Sequence, residues 1–582
     1  MIMTNAEIAA VFEQVADLLE FKDENPFRVR AYRNAARAIR DLTESVSAIV
    51  ADNWERLLAI EGIGKAVADK AATLARTGRL PQLDELLAEI PESVLAIMRI
   101  PGIGPKKAAA LYHQLGVQTL DELKQACEAG RVRELKGFAA KTERAILEGL
   151  ALASAAGQRL YWAEADQIAQ ALREHLRDAA AIEQLEWAGS YRRGRETVGD
   201  LDLLAVADRP AEVMDRFGEF PGVASVLARG DTKMSVRLSS GFQVDLRIVP
   251  RESFGAALQY FTGSKAHNVV LRGLAKQRGL KINEYGVFRM EGEQETYLAG
   301  ATEAEVYGTL DLPCFPPELR EARREFDWAR AGELPQLVRR EDIRGDLHAH
   351  TLETDGRDTI EEMVAAARQR GLKYLAITDH SQRVTMAHGL DPQRLLAQWE
   401  QIDRLNEQLG RGFTILKGIE CDILEKGGLD LPDDVLAQAD WVVASVHYGQ
   451  RQSRDQITQR IVDALAHPHV CCIGHPTGRL LNRRDPYAVD MEAVFAAAAR
   501  YGKMLELNAN PMRLDLDDVA CAAAKTHGIP IVIATDAHQT EGLDDLRYGV
   551  LQARRGGLTA ADVANTLSWP QLKKRIGKGA SA

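Results

Sequence analysis

The chain has 582 residues, 46% of them hydrophobic and 27% charged, with a net charge of −11. That mix excludes a disordered or fibrous chain, and at roughly 150 residues per domain it predicts three to five compact units. Six cysteines, two of them adjacent at Cys471 and Cys472, build no disulfide framework and suit a reducing compartment.

In chain order, the opening MIMTNAEIAAVFEQVADLLE carries acids and no basic region, so it does not read as a secretory leader. No uninterrupted apolar run nears the ~18 residues a membrane helix needs. Residues 1–150 read as consecutive amphipathic helices. Within them Arg28, Arg30, Arg33, Arg37 and Arg40 form a basic stripe with no acid before Asp41. The stripe suits a phosphate-contacting face as well as it suits a solvated helix face. Two related turns follow, Glu61-Gly62-Ile63-Gly64-Lys65 and Pro101-Gly102-Ile103-Gly104-Pro105-Lys106, with a weaker version at Leu135-Lys136-Gly137-Phe138. A Gly-x-Gly turn lets the backbone approach a phosphate, and the helix start after it offers free N–H groups. Repetition, with lysine after each turn, predicts sequence-independent DNA binding through Gly62, Gly64, Lys65, Gly102, Gly104 and Lys106.

From about 185 to 250 the pattern changes to short β-type runs (LDLLAV, MSVRLS, FQVDLRIV). Here Gly189-Ser190-Tyr191-Arg192-Arg193-Gly194 precedes Gly199-Asp200-Leu201-Asp202. Residues i and i+2 of a strand share a face, so Asp200 and Asp202 converge, and two ionised carboxylates side by side repel unless a cation lies between them. A second strand brings Asp245 to the same face. Three such carboxylates can hold two divalent ions, Mg²⁺ or Mn²⁺, for nucleotidyl transfer, with the Gly-Ser turn and Arg193 gripping a triphosphate.

The stretch LPCFPPELREARREFDWARAGELPQLVRRED, with four prolines and many charges, reads as a linker. Beyond Gly345, strand-like segments (YLAITD, FTILKGIE, WVVASVH, CCIGHP, MLELNAN, IPIVIATD) alternate with helical ones, the rhythm of a parallel sheet or barrel. Ten of the thirteen histidines lie between His348 and His538. His348, His350, Asp355, His380, Glu420, His447, His475, Asp536 and His538 recur at strand ends, where barrel active sites are built. Imidazole mixed with carboxylate suits Zn²⁺, Mn²⁺ or Fe²⁺ rather than Ca²⁺.

Residues 1–315 resemble the family X DNA polymerases through the hairpin turns, the G-S-Y-R-R-G and G-D-L-D segments, Asp245, and Tyr260-Phe261-Thr262-Gly263-Ser264. The resemblance implies that Asp200, Asp202 and Asp245 are the catalytic metal ligands. It also implies that Gly189, Ser190, Arg193 and Gly199 hold the triphosphate, and that Tyr260, Phe261 and Gly263 bound the sugar. Asn268 and Arg272 would approach the base pair. Val198 stands where several eukaryotic relatives have serine. Lys70 falls where the family can carry a Schiff-base lysine for 5'-deoxyribose phosphate; a surface or phosphate-contacting lysine remains the alternative.

The histidine set resembles the polymerase-and-histidinol-phosphatase (PHP) domain, a distorted barrel binding up to three metals, here Mn²⁺ or Zn²⁺. The resemblance implies one metal on His348, His350, Glu420 and Asp536, a second on Glu420, His447 and His475, and a third on Asp355, His380 and His538. The fold implied is multidomain: a lyase-like helical domain (1–80), fingers (81–150), an α+β nucleotidyltransferase palm (151–250), a thumb (251–315), a linker (316–340) and a distorted (βα)7 PHP barrel (341–582). The function expected is gap-filling DNA repair synthesis on gapped or primer-template DNA with dNTP, plus a 3'-5' exonuclease or phosphoesterase. The chain is expected to be a cytoplasmic, nucleoid-associated monomer without membrane contact. AP endonuclease, 3'-phosphatase and lyase activities stay open. So do a template-independent nucleotidyltransferase with a PHP phosphatase and a non-enzymatic DNA-end scaffold.

Overall fold

The computed structural model describes residues 5–40, 42, 46–60, 62–91, 93–98, 100, 103–138, 142–144, 146–147, 159–177, 182–292, 294–482 and 484–579. The chain divides into two compact units, Met1–Gln158 and Arg159–Ala582.

The first unit is helical among its described residues, and one apolar core runs through it. Phe12, Tyr32, Leu57 and Leu74 share that core with Leu111, Leu123 and Ile146, so the stretches 1–80 and 81–150 pack on each other. The two hairpins open matching helices, Lys65–Thr77 after Gly64 and Pro105–Leu115 after Gly104. Neither cap residue has a side chain to offer, so neither helix start is capped by a side chain of its own N-cap residue. Gly62 at φ +91° and Gly137 at φ +92° occupy the left-handed region that favours glycine.

The second unit begins with a five-stranded palm sheet. Its strands are β1 (Ile182–Trp187), β2 (Asp200–Ala207), β3 (Val223–Arg229), β4 (Lys233–Leu238) and β5 (Gln243–Ile248), in the order β1-β2-β5-β4-β3. Only β2 and β5 run parallel. Two amphipathic helices, Trp162–Arg177 and Pro210–Gly218, bury Ala169, Leu172, Val213 and Phe217 against the sheet. The thumb follows, with helices Phe254–Thr262 and Lys265–Gln277 and the antiparallel meander β6 (Leu280–Asn283), β7 (Gly286–Glu291) and β8 (Gln294–Ala299).

The stretch expected as a linker is packed on both sides. Phe326 enters the thumb core, and Val338 enters the barrel core. Charges that read as solvated in the sequence are ion pairs between elements: Arg320 with Glu303, Glu318 with Arg554, and Arg323 with Asp518.

Seven parallel strands then pair in sequence order: β9 (Gly345–Asp346), β10 (Tyr374–Ile377), β11 (Thr414–Asp422), β12 (Trp441–Ser445), β13 (Cys472–Ile473), β14 (Met504–Asn508) and β15 (Ile531–Ala534). Helices such as Ile360–Gln369 and Arg454–Ala466 cover the outside, each started by a capping box, Thr359 with Glu362 and Ser453 with Gln456. Alternation divides the strand residues between two apolar layers. Leu375, Ile415, Val442, Leu505 and Ile533 pack with the helices, whereas Ala376, Leu416, Val443, Met504 and Ala534 pack with Leu572 of the C-terminal helix as an apolar floor. Continued up the strands, the inner positions become His380, Glu420, His447, Glu506 and Asp536.

β9 and β15 meet without a regular ladder. At the upper end the seam closes through Asp536 N–H to the His348 carbonyl (2.9 Å) and His350 N–H to the Ala537 carbonyl (2.8 Å). Lower down, Asn565 fills the gap. Its amide donates to the carbonyls of Gly345 (2.8 Å) and Ile533 (2.7 Å) and accepts from Ile533 N–H (3.1 Å). Asn565→Leu strands three buried backbone groups, so the denaturation midpoint of the barrel should fall by the equivalent of about 3 kcal/mol. An unchanged midpoint in urea melts would show that the seam does not need this residue.

Candidate active sites

Parallel pairing of β2 and β5 sets Asp202 opposite Asp245 and Asp200 opposite Gln243. Burial, then the charges of Asp200 and Asp245, lift Asp202 to about 6. Burial and Asp245 raise Asp200 as well. Burial would also raise Asp245, but hydrogen bonds from Lys233, Gln243 and Ser235 outweigh it and hold this carboxyl below the usual range. The Lys233 ammonium sits 2.8 Å from Asp245 Oδ2, a cation already placed at one corner of the cluster. Gly189 (φ +64°) touches the same cluster from above: a β-carbon there would lie 2.5 Å from Asp202 Oδ2. Only glycine lets the Gly189–Arg192 turn come this close.

The other expected nucleotide contacts surround this point with partners of their own. Arg193 pairs with Glu321 (3.1 Å) and donates to the Thr262 carbonyl, which brings it against Gly263. Asn268 donates to the Tyr260 carbonyl (2.7 Å) and accepts from Gln259 (2.7 Å). Arg272 donates to the Asn268 carbonyl, and Arg247 lies over the Phe261 ring at 4.3 Å. Gly199 packs beside Arg159, and Val198 is buried in the palm core.

In the first unit Gly62, Gly64, Lys65, Gly104 and Lys106 are exposed, and Gly102 lies outside the described residues. Lys70 places its ammonium over the Tyr32 ring at 5.2 Å. The basic stripe is partly compensated, since Arg33 pairs with Asp17 and Glu20, and Arg28 with Glu24.

At the top of the barrel all nine expected ligands converge. Glu420 is central: its carboxylate lies 2.8 Å from His380, 3.0 Å from His475, 3.3 Å from His447, 3.5 Å from His348 and 3.8 Å from His350. Asp536 lies 3.0 Å from His350, and Asp355 lies 3.4 Å from His380 and 3.5 Å from His538. Three sets bring their donor atoms close enough to hold an ion: His348, His350 and Asp536; His380, Glu420 and His447; and His350, Asp355, His380 and His538. His350 and His380 thus stand between sets that the sequence keeps apart.

A test of fit is whether buried lone pairs lack partners. His348 Nε2 and His350 Nδ1 are buried without a hydrogen-bond partner, a costly arrangement that bound cations relieve. Burial and the neighbouring His538 and His380 push His350 down to about 3, keeping its ring neutral.

A supporting layer was not visible in the sequence pattern. Glu506 accepts from His348 Nδ1 at 2.6 Å and leaves Nε2 facing Asp536 and Glu420. Asp422 holds His447 Nδ1 (3.2 Å), and Asn508 donates to Asp536 (3.0 Å). Asp379, next to His380, accepts from Thr351, Thr354 and Gln398 and fixes the loop below Asp355. Asp422 and Asp379 lie one or two residues from a recognisable ligand, whereas Glu506 and Asn508 stand on β14, which carries none, so the sequence offers no signal for them.

The palm turn of residues 189–194 rests on the barrel's helix Leu546–Arg555. Leu551 lies where a β-carbon on Gly194 (φ +67°) would come within 2.5 Å of it, and Arg555 donates to the Arg193 carbonyl (2.7 Å) and to Glu321. Beside it, Glu196 forms a two-point ion pair with Arg479, which also holds the Arg513 and Leu514 carbonyls. Trp162 stacks on Tyr191 at 4.9 Å and meets Tyr548 edge-on.

Fold and sites together put the chain in the class of proteins that carry two separate metal-dependent centres on one polypeptide. The DNA polymerase beta thumb model matches residues 257–321, and the PHP domain model matches 346–510. A helix-hairpin-helix domain matches 3–80, and a SAM-like helix-hairpin-helix tandem matches 94–151. The "DNA polymerase/3'-5' exonuclease PolX" of Bacillus subtilis (strain 168) is 41% identical over 569 residues, covering 97% of this chain and 98% of that protein. A probable phosphatase of Thermoanaerobacter sp. (strain X514) is 31% identical over 233 residues, 38% of this chain and 89% of that protein. The chain belongs to the bacterial family X DNA polymerases with a C-terminal PHP domain. Among the described residues no helix is long and apolar enough to cross a membrane.

Supporting carboxylates that orient ligand histidines typically change metal affinity by about 10–100-fold when removed. Glu506→Gln should therefore weaken Mn²⁺ or Zn²⁺ retention by the barrel in that range. Metal content measured after dialysis against graded chelator reads this directly; wild-type retention would dismiss the role.

Proposed function

We propose that the chain is a DNA-directed DNA polymerase filling gaps on primer-template DNA in repair, with a 3'-5' exonuclease in its barrel. The observation that carries the first half is the register of Asp200, Asp202 and Asp245. Burial and then the charges of Asp200 and Asp245 lift Asp202 to about 6, and the three carboxylates together offer a charge well that cations fill. Mg²⁺ or Mn²⁺ suits the palm, and Mn²⁺ or Zn²⁺ suits the imidazole-rich barrel. Bound there, such ions would acidify the attacking hydroxyl or water and offset the charge of the leaving oxygen.

The chain's own residues do the rest. Asp245 stays ionised through Lys233, and the Gly189–Arg192 turn brings backbone N–H groups and Ser190 beside Asp202. A dNTP lying there meets Tyr260 and Phe261 on the opposite side of Arg193. Engaging a triphosphate with Arg193 requires exchanging the Glu321 pair for phosphate oxygens, a trade between two charge-assisted bonds.

In the barrel, hydrolysis of the last phosphodiester breaks the bond between phosphorus and the 3'-oxygen of the preceding nucleotide. Water supplies oxygen to phosphorus and a proton to the 3'-oxygen, and a nucleoside 5'-monophosphate leaves. Glu506 and Asp422 keep His348 and His447 aimed at Glu420. The hairpins in the first unit supply duplex contact without reading sequence, which fits repair at any gap. The chain is read as a monomer acting at the nucleoid, and a lyase role for Lys70 is a further expectation, testable by borohydride trapping.

A crossed pair of variants tests the two halves. Asp245→Ala should abolish primer extension on gapped DNA and keep 3'-end trimming, while Glu420→Ala should do the reverse. Extension by the first or trimming by the second would refute the corresponding site. Leu551→Ala removes the wall behind Gly194, so the KM for dNTP should rise severalfold with exonuclease kcat unchanged. A steady-state comparison that finds the KM unmoved would separate the palm from that helix.

A further inference from the structure

Beside the barrel's ligand cluster lies a cavity of about 680 Å³, lined by the loops His447–Gln452 and Arg484–Ala488. His447 belongs to both: its Nε2 is 3.3 Å from Glu420 Oε1, and its ring forms part of the cavity wall. Whatever fills this space therefore reaches the ions' position from one side. We propose that the cavity is a subsite for one nucleotide, taking the 3'-terminal nucleoside 5'-phosphate of the strand that the barrel trims, with Arg484 and Arg451 on its phosphate and the Tyr448 ring against its base. This assignment rests on the exonuclease reading above.

Three features support a nucleotide. The volume falls within the ~300–1,000 Å³ span of small-ligand pockets, room for one nucleotide and far too little for a base-paired end. The lining brings two guanidinium groups against a single carboxylate, Asp485, so a phosphate balances its charge. Arg451 has no hydrogen bond or ion pair of its own among the described residues. Arg484 is steered rather than neutralised: it donates twice to the Gly478 carbonyl (3.1 and 2.7 Å) and faces the like charge of Arg513. Tyr448 brings an aromatic ring to the wall, a surface on which any base stacks without sequence preference. Arg383 lies 4.8 Å from that ring and fixes it.

Both walls are built before a ligand arrives. The buried Arg460 donates to the Tyr448 carbonyl (3.1 Å) and to Gln452 Oε1 (2.8 Å), and Gln452 donates to the Glu425 carbonyl. Gly449 (φ +70°) turns the loop where a β-carbon would strike Glu425 and Arg460. On the other wall Tyr487 donates to the Pro476 carbonyl (2.8 Å), beside the ligand His475. A cavity fixed in this way loses little freedom on binding. Arg451 takes no part in these anchors and, being exposed, can be removed without loosening the loops, whereas Arg484→Ala also removes the two bonds to the Gly478 carbonyl.

The test uses the full chain loaded with Mn²⁺, with thymidine 5'-monophosphate as the probe in titration calorimetry. Arg484→Ala and Arg451→Ala should each weaken binding by about tenfold, the worth of one charge-assisted hydrogen bond. Tyr448→Ala should weaken it too, and Tyr448→Phe should restore it. The KM for a single-stranded oligonucleotide should rise in parallel. In Tyr448→Ala, hydrolysis of bis(p-nitrophenyl) phosphate, which has no nucleoside, should stay at the wild-type rate. Unchanged nucleotide binding in all three variants overturns the subsite. For Tyr448→Ala, equal losses on the nucleotide and on the small diester overturn it as well, because they place the damage in the metal cluster. A wild-type chain that binds thymidine 5'-monophosphate in this arginine-dependent way but trims no DNA would refute the exonuclease and leave the subsite standing.

Discussion

Glu420 is a carboxylate with almost no solvent exposure, ringed by five imidazoles. Burying a charge costs several kcal/mol unless it is paired and hydrogen-bonded, and burying unsatisfied imidazole nitrogens adds to that cost. Such a cluster survives only on a scaffold that cannot relax around it. The barrel is that scaffold. Its strands are pinned on one side by helices and on the other by an apolar floor, and the seam between first and last strands is stitched by Asn565 and by the backbone at His348 and His350. The palm meets the same constraint on a smaller scale, with three carboxylates held by one pair of parallel strands and one lysine.

Much of this was legible because period and chemistry coincide. Alternation alone puts Asp200 and Asp202 on one face, and the parallel β2–β5 register that sets Asp245 opposite Asp202 is a short step from it. The barrel could be read from its alternating apolar runs, which lead into an expected ligand at every strand but β14. The supporting residues were hidden for a physical reason: Lys233, Asp422 and Glu506 gain their roles from neighbours on other strands, and a strand's own pattern says nothing about its register. Arg193 reads as a triphosphate contact, and nothing in the sequence shows that Glu321, 128 residues away, pairs with it. The proline-rich stretch reads as a linker because its charges look solvated, whereas Arg320 is buried and Glu318 and Arg323 are paired across elements.

Net charge misleads in the same way. A chain at −11 repels DNA at long range, but binding is decided within a Debye length of the surface. The arginine stripe contributes less than its sequence suggests, because Arg28 and Arg33 are spent on Glu24, Asp17 and Glu20. The uncapped helix starts after Gly64 and Gly104 are unaffected by that compensation.

The dependence between palm and barrel has a direction. The palm's phosphate-side loop rests on barrel residues: Leu551 fills the space beside Gly194, and Arg555 holds the Arg193 carbonyl. The barrel's ligands are braced by barrel residues, Glu506, Asp422, Asn508 and Asp379. The palm's nearest approach to them is Glu196, which reaches Arg479 and through it the carbonyls of Arg513 and Leu514. Arg513 lies 3.6 Å from Asp536, so this contact stops one residue short of the cluster. A covalent tether would have been enough to keep two activities on one DNA end. The buried ion pairs do more, because they make the shape of the turn of residues 189–194 a property of the barrel as well as of the palm.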